Sequence, residues 1–203
     1  MALVVFTGGA RSGKSAAAQS LAEARERDGS AVTIAVFGVA DGDPEFAERV
    51  AHHRASRPRT WTLHEASDPT GWVAAVSDSD VLVVDCLGTA LGLLMMRHFE
   101  KVSEATLSEA DASVLPDGFG DAVESAFSVV IEGLVSRPGD TIVVTNEVGC
   151  ATVPGYASER LFRDVLGRAN RMLTNAADAA YLCVAGRLIA LDELPRTAHW
   201  PVD

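Results

Sequence analysis

The sequence predicts an α/β fold with a mostly parallel central sheet and helices on both faces. Two observations carry this. Short apolar, β-branched runs alternate with helix-like segments along the chain, and a glycine-rich stretch, Gly8 to Ser15, joins the first run to the first helical segment.

The strand candidates are Leu3–Phe6, Ala31–Phe37, Val81–Asp85, Thr141–Thr145 and Ala180–Val184, each separated from the next by at least one helical candidate. The helical candidates are Ser15–Arg27, Pro44–Ser56, Asp121–Ser136 and Ser158–Asn175, with a shorter one around Leu87–Phe99. Asp43 and Pro44 read as an N-cap and a first-turn proline, and Pro58 should stop that helix. The acidic segment Lys101 to Gly120, with Pro116, Gly118 and Gly120, reads as a surface excursion. One domain is expected over residues 1–192, followed by a tail, 193–203, that does not extend the sheet; Trp200 is placed to anchor it by packing.

Length and composition agree with a single well-filled core: 203 residues, 48% of them apolar. A formal net charge of −11 argues against an extended nucleic-acid footprint, which needs a basic stripe to neutralise phosphates. Cys86, Cys150 and Cys183 lack the close spacing of zinc ligands or of a disulfide framework, which fits a reducing compartment. No uninterrupted apolar stretch is long enough to span a bilayer, and the first residues lack the basic leader of a signal peptide. The expectation is a soluble cytoplasmic protein with no membrane span.

Gly8-Gly9-Ala10-Arg11-Ser12-Gly13-Lys14-Ser15 fits the pattern G-x-x-x-x-G-K-[ST] after an apolar strand. Glycines at these places let successive backbone N–H groups turn inward around phosphate oxygens at the positive end of the following helix. Lys14 is then placed for the β- and γ-phosphates, and Ser15 for Mg²⁺. A nucleotide is the expected ligand.

Val81 to Asp85 is an apolar strand that ends in a carboxylate. Asp85 reads either as a turn residue or as the acidic partner of the Mg²⁺ shell. Thr145-Asn146-Glu147-Val148-Gly149 closes another strand with polar groups. Glu147 there either holds substrate or is a polar exit from the sheet. Arg160, Arg163, Asp164, Arg168 and Asn170 read mostly as the solvated face of a helix whose apolar stripe is Leu161, Val165 and Met172.

Arg49 to Pro58 gathers two imidazoles and three guanidiniums in an acidic chain, followed by Trp61 and Glu65, which points to an anionic ligand. Phe46, Val50 and His53 share a helix face by the i, i+4, i+7 rule. His53 is either a satisfied half-buried histidine or a nucleophile whose neutral nitrogen attacks phosphorus. A position near the helix C-terminus favours the imidazolium and so opposes the second reading.

Four blocks, Thr7–Ser15 (TGGARSGKS), Arg49–Glu65 (RVAHHRASRPRTWTLHE), Val144–Gly149 (VTNEVG) and Leu161–Leu173 (LFRDVLGRANRML), resemble in order and wording the bifunctional adenosylcobinamide kinase/adenosylcobinamide-phosphate guanylyltransferase family of cobalamin biosynthesis. The resemblance implies a three-layer P-loop NTPase fold similar to RecA, usually a homotrimer. It implies phosphorylation of adenosylcobinamide from ATP or GTP, then GMP transfer from GTP to the corrinoid phosphate, with Mg²⁺. The covalent GMP carrier maps to His53, with Lys14 serving phosphate. Arg54, Ala55, Ser56, Arg57, Glu65 and Asp85 would fall in the nucleotide site, and Ala35, Val36 and Phe37 would line it. The chain departs from the family at Val36 and Phe37, where a Thr and a small polar residue are common, and at Phe46, where Met is usual. Two other readings are a single-activity small-molecule kinase and a nucleotide-binding regulatory module without turnover. No guanine-reading N-K-x-D string supports the latter.

Overall fold

A computed structural model describes residues 1–37, 57–106 and 114–197. Seven strands form one sheet: β1 Leu3–Gly8, β2 Val32–Val36, β3 Thr62–Glu65, β4 Val81–Asp85, β5 Thr141–Val144, β6 Ala179–Val184 and β7 Arg187–Ala190. Their order is β3-β2-β4-β5-β1-β6-β7. Every pairing is parallel except the β6–β7 hairpin.

Among the described residues four α-helices accompany them: α1 Lys14–Arg27, α2 Leu87–Thr106, α3 Phe119–Ser136 and α4 Ala157–Ala176. The central strands are apolar at consecutive positions because both sheet faces are covered. Leu3, Val5, Leu82, Val84 and Val143 face one way, into a core shared with Leu91 of α2, Phe127 and Ile131 of α3, and Leu166 and Leu173 of α4. Phe6, Ile34, Val83, Ile142 and Val144 face the other way, toward Ala18 and Ala22 of α1. This is the three-layer arrangement expected, and alanine at α1's inward positions brings that helix close to the sheet. On the opposite face α3 presents Val123, Phe127, Val130, Ile131 and Leu134, a stripe at helical spacing that is almost wholly buried. Truncating Phe127, 2% exposed, to alanine would cost about 3–5 kcal/mol.

The five expected strands form, as do the four expected helices that fall within the described residues, and the structure adds two strands. β3 is short, lies at the sheet edge and is largely exposed, so it lacks the apolar alternation that marks a strand in sequence. β7 follows a two-residue turn, Ala185-Gly186, with φ of 48° and 75°. Two left-handed residues make a turn whose twist matches a hairpin. The segment expected as a surface excursion is partly helical. α2 runs on to Thr106 and α3 begins at Phe119, whose N–H donates to the Pro116 carbonyl at 3.1 Å. The expected helix Pro44–Ser56 and the anchoring Trp200 lie outside the described residues.

Candidate active site

Parallel register brings the C-terminal ends of β1, β5 and β4 to one edge of the sheet, with β5 in the middle. Open α/β sheets bind ligands at that edge. The phosphate-loop sequence leaves β1 there. Gly13 has φ of 99°, a conformation that costs L side chains energy, and it starts α1. The helix has no side-chain cap and no acidic residue in its first turn, so its terminal N–H groups and positive dipole end face the loop uncompensated.

The loop is closely backed by the β6–β7 hairpin. A Cβ on Gly8 would lie 2.5 Å from the Cys183 carbonyl oxygen, and one on Gly13 would lie 3.2 Å from Gly186 Cα. The Gly186 N–H donates to the Ser12 carbonyl at 2.9 Å. Burial pushes the Cys183 thiol above its ordinary pKa, and the Lys14 charge opposes that. Lys14 is buried, and its Nζ donates to the Gly9 carbonyl at 2.9 Å. The ammonium is therefore held against the loop by the Gly9 carbonyl.

Ser15 Oγ donates to Asp85 Oδ1 at 3.2 Å, which joins the start of α1 to the end of β4. Arg57 Nη2 lies 3.8 Å from Asp85 Oδ2, and both side chains are mostly buried. A hydroxyl and a carboxylate beside a phosphate loop are hard oxygen donors. They suit Mg²⁺, which takes few protein ligands and fills its octahedron with water and phosphate oxygens. No group of three or more His, Cys, Asp or Glu side chains placed to hold a metal occurs among the described residues.

A cavity of about 210 Å³ lies beside this junction, lined among others by Ser15, Gln19, Ile34, Arg57, Trp61 and Asp85. Trp61 closes it. The indole is 8% exposed, and Nε1 donates to Glu26 Oε2 of α1 at 3.0 Å. Hydrogen bonds from Thr60 and then Trp61 hold the Glu26 carboxyl below its usual range, against a smaller effect of burial. The segment after Pro58 is thus fastened to α1.

Of the residues singled out in the sequence, Gly8 to Ser15, Arg57 and Asp85 converge. Val36 lies on the α1 face of the sheet, whereas Ala35 and Phe37 are buried in the other core, with Phe37 edge-on to Trp72 at 4.8 Å between ring centroids. Glu65 pairs with Val36 in register at the end of edge strand β3. His53, Arg54, Ala55 and Ser56 lie outside the described residues. The Glu147 N–H donates to the Gly8 carbonyl at 3.0 Å, and its Oε1 accepts from the Gly149 N–H at 2.7 Å.

Two contributors were not legible in the sequence. Asn170 is not part of a solvated face; it is 7% exposed and hydrogen-bonded to the exit of β5. The backbone of Cys183 to Gly186 packs under the loop, and the Ala185-Gly186 dipeptide between two apolar runs was the available signal.

Residues 4–191 match the family model of cobinamide kinase/cobinamide phosphate guanyltransferase. The chain belongs to this family.

Its relatives agree. The bifunctional adenosylcobalamin biosynthesis protein CobU of Escherichia coli (strain K12) is 32% identical over 191 residues, 91% of this chain and 96% of that one. CobU of Salmonella typhimurium is 30% identical over 187 residues, 91% of this chain and 96% of that one. CobP of Pseudomonas aeruginosa is 32% identical over 186 residues, 90% of this chain and 92% of that one. Among solved structures, the P4 protein from bacteriophage phi6 in complex with ADP aligns at a TM-score of 0.33 and 16% identity, covering 92% of this chain and 52% of that one, too loosely to carry an argument. The cobinamide kinase/guanyltransferase family is enzymatic and bifunctional by its description, and the phosphate loop, Lys14, Ser15 and Asp85 are the parts of this chain suited to a nucleotide substrate. No helix among the described residues is long and apolar enough to cross a membrane.

Proposed function

We propose that this chain phosphorylates the aminopropanol hydroxyl of adenosylcobinamide from ATP or GTP. It then moves GMP from GTP onto that phosphate, giving adenosylcobinamide-GDP in cobalamin nucleotide-loop assembly. The observation that supports this most directly is the meeting of Ser15 with Asp85 beside Lys14, in a chain whose family carries both activities.

In both half-reactions the N–H groups of Gly9 to Lys14 and the α1 terminus bind phosphate oxygens, and Lys14 supplies a positive charge where negative charge develops. Ser15 and Asp85 would hold Mg²⁺, which would offset the negative charge of the phosphates during transfer. In guanylyl transfer a neutral His53 nitrogen attacks the α-phosphorus of GTP, a P–N bond forms, and the bond to pyrophosphate breaks. The corrinoid phosphate oxygen then attacks the same phosphorus, and the P–N bond breaks to free the imidazole. Arg54, Arg57 and Glu65 are the further nucleotide-site residues in this reading, with Ala55, Ser56 and the Ala35–Phe37 backbone beside them. We propose in addition a single domain over residues 1–192, a homotrimeric assembly and a cytoplasmic location.

The test is incubation with Mg²⁺ and GTP labelled at the α- or the γ-phosphate, followed by denaturation and acid treatment. Acid-labile label retained from the α-position alone, and lost in His53→Ala, is the expected result. A nucleotide-binding protein that takes no label would instead be a kinase alone or a regulatory module.

A further inference from the structure

β5 lies between the strand that feeds the phosphate loop and the strand that ends in Asp85, so its exit, Thr145-Asn146-Glu147, emerges between the two halves of the site. Backbone bonds tie that exit to β1. The Thr145 N–H donates to the Phe6 carbonyl at 2.9 Å and the Glu147 N–H to the Gly8 carbonyl at 3.0 Å. On its other side stands Asn170 of α4, 7% exposed. Its Nδ2 donates to the Asn146 carbonyl at 2.9 Å, and its Oδ1 accepts from the Oγ1 of Thr145, a residue with 0% exposure, at 2.6 Å. The chain of bonds runs on across the site. Cys86 Sγ donates to Asn146 Oδ1 at 3.4 Å, and the Cys86 N–H, one residue past Asp85, donates to Thr89 Oγ1 at 3.3 Å.

We infer that Asn170 is a positioning residue. It acts through Thr145 and Asn146 to hold the exit of β5 in register with both the phosphate loop and the residue after Asp85. An amide is suited to this task because it donates with one end and accepts with the other. The Thr145 hydroxyl is withdrawn from water, where an unmet hydrogen bond is costly. Asn170 touches no substrate in this role. It sets the distance between groups that do, and small misplacements of such groups are expensive in rate. Naming the reaction it serves rests on the function proposed above, but the local geometry does not.

Asn170→Asp keeps the shape and turns the donor toward Asn146 into a second acceptor; Thr145→Val keeps the strand and strips Oδ1 of its partner. Hydrogen exchange on the ligand-free full chain reads the geometry without reference to turnover. The Glu147 amide, which donates to the Gly8 carbonyl, is expected to exchange at least about tenfold faster in either variant, while those of Ile142 and Val143 stay unchanged. Turnover of adenosylcobinamide with ATP reads the consequence: kcat about tenfold to a hundredfold lower, with KM for the nucleotide within about twofold. Unchanged exchange at Glu147 in a folded variant overturns the inference, as does a kcat equal to wild type. Loss of kcat with an equal rise in nucleotide KM overturns it too, because the whole site would then have loosened. Wild-type turnover in the same assay tests the proposed function alone.

Discussion

Ser15 and Asp85, seventy positions apart in the chain, meet at 3.2 Å, with the hydroxyl donating to the carboxylate. Neither residue is informative without the other. Ser15 comes with the motif, but Asp85 ends an apolar strand as many turn residues do, and only the order of β1, β5 and β4 brings it to the start of α1. Arg57 approaches the other oxygen of the same carboxylate, its Nη2 lying 3.8 Å from Asp85 Oδ2.

Asp85→Asn is expected to preserve the hydrogen bond from Ser15 and weaken the hold on Mg²⁺, since an amide oxygen carries no net charge. Both activities should fall by about tenfold to a hundredfold, with part of the loss regained at higher Mg²⁺. Titration of each activity against Mg²⁺ checks this. A loss that no Mg²⁺ concentration touches would assign Asp85 to proton transfer instead.

Lys14 and His53 are expected to separate the two half-reactions. Lys14→Ala should weaken both by on the order of a hundredfold, because the ammonium faces phosphate in each. His53→Ala should remove guanylyl transfer, by at least about a thousandfold, and spare phosphorylation. Parallel assays of the two steps on each variant give the answer, and equal losses for His53→Ala in both would end the division of labour.

How much was legible follows from where the signal lies. Gly8 to Ser15 is a local motif, so sequence located it. Asp85 was legible as a strand end, though its partner was not. Asn170 escaped because helical spacing put it among charged neighbours, Arg168 and Arg171, while its actual environment is set by β5, a strand remote in sequence. β3 and β7 escaped because edge strands bury too little to need an apolar pattern. Arg137 escaped for a related reason. It follows a helix end with no motif around it, yet is 4% exposed and donates to the carbonyls of Ser77, Asp80 and Asp140.

Gly8 tests the packing of hairpin against loop. Gly8→Ala would set a Cβ 2.5 Å from the Cys183 carbonyl and 2.7 Å from Ser12 Oγ, so one of the two layers has to shift. Overpacking of this kind costs about 1–3 kcal/mol, and the shift should also loosen the phosphate loop. Melting curves with and without GTP are the measurement: a lower melting temperature and a smaller stabilisation by nucleotide are expected. A lower melting temperature with nucleotide stabilisation intact would mean that the hairpin supports the fold but not the loop.

Asp140 makes stability depend on acid. Its partial burial would by itself raise the carboxyl pKa. The hydrogen bond from Arg25, the Ala2 N–H at 2.8 Å, and the charges of Arg25 and the N-terminus outweigh that and hold it below the usual range. The unfolded chain therefore takes up the proton first as pH falls. The carboxylate's contribution is fully present above its unfolded pKa, about 3.9, and drains away as pH drops through the lower folded value. Asp140→Asn lacks the titration, so it should be less stable than the parent near pH 7, and the gap should narrow below about pH 4. Urea unfolding of both proteins from pH 7 down to pH 3 checks the sign; a gap of constant size would mean that the Ala2 and Arg25 contacts contribute through shape alone and not through charge.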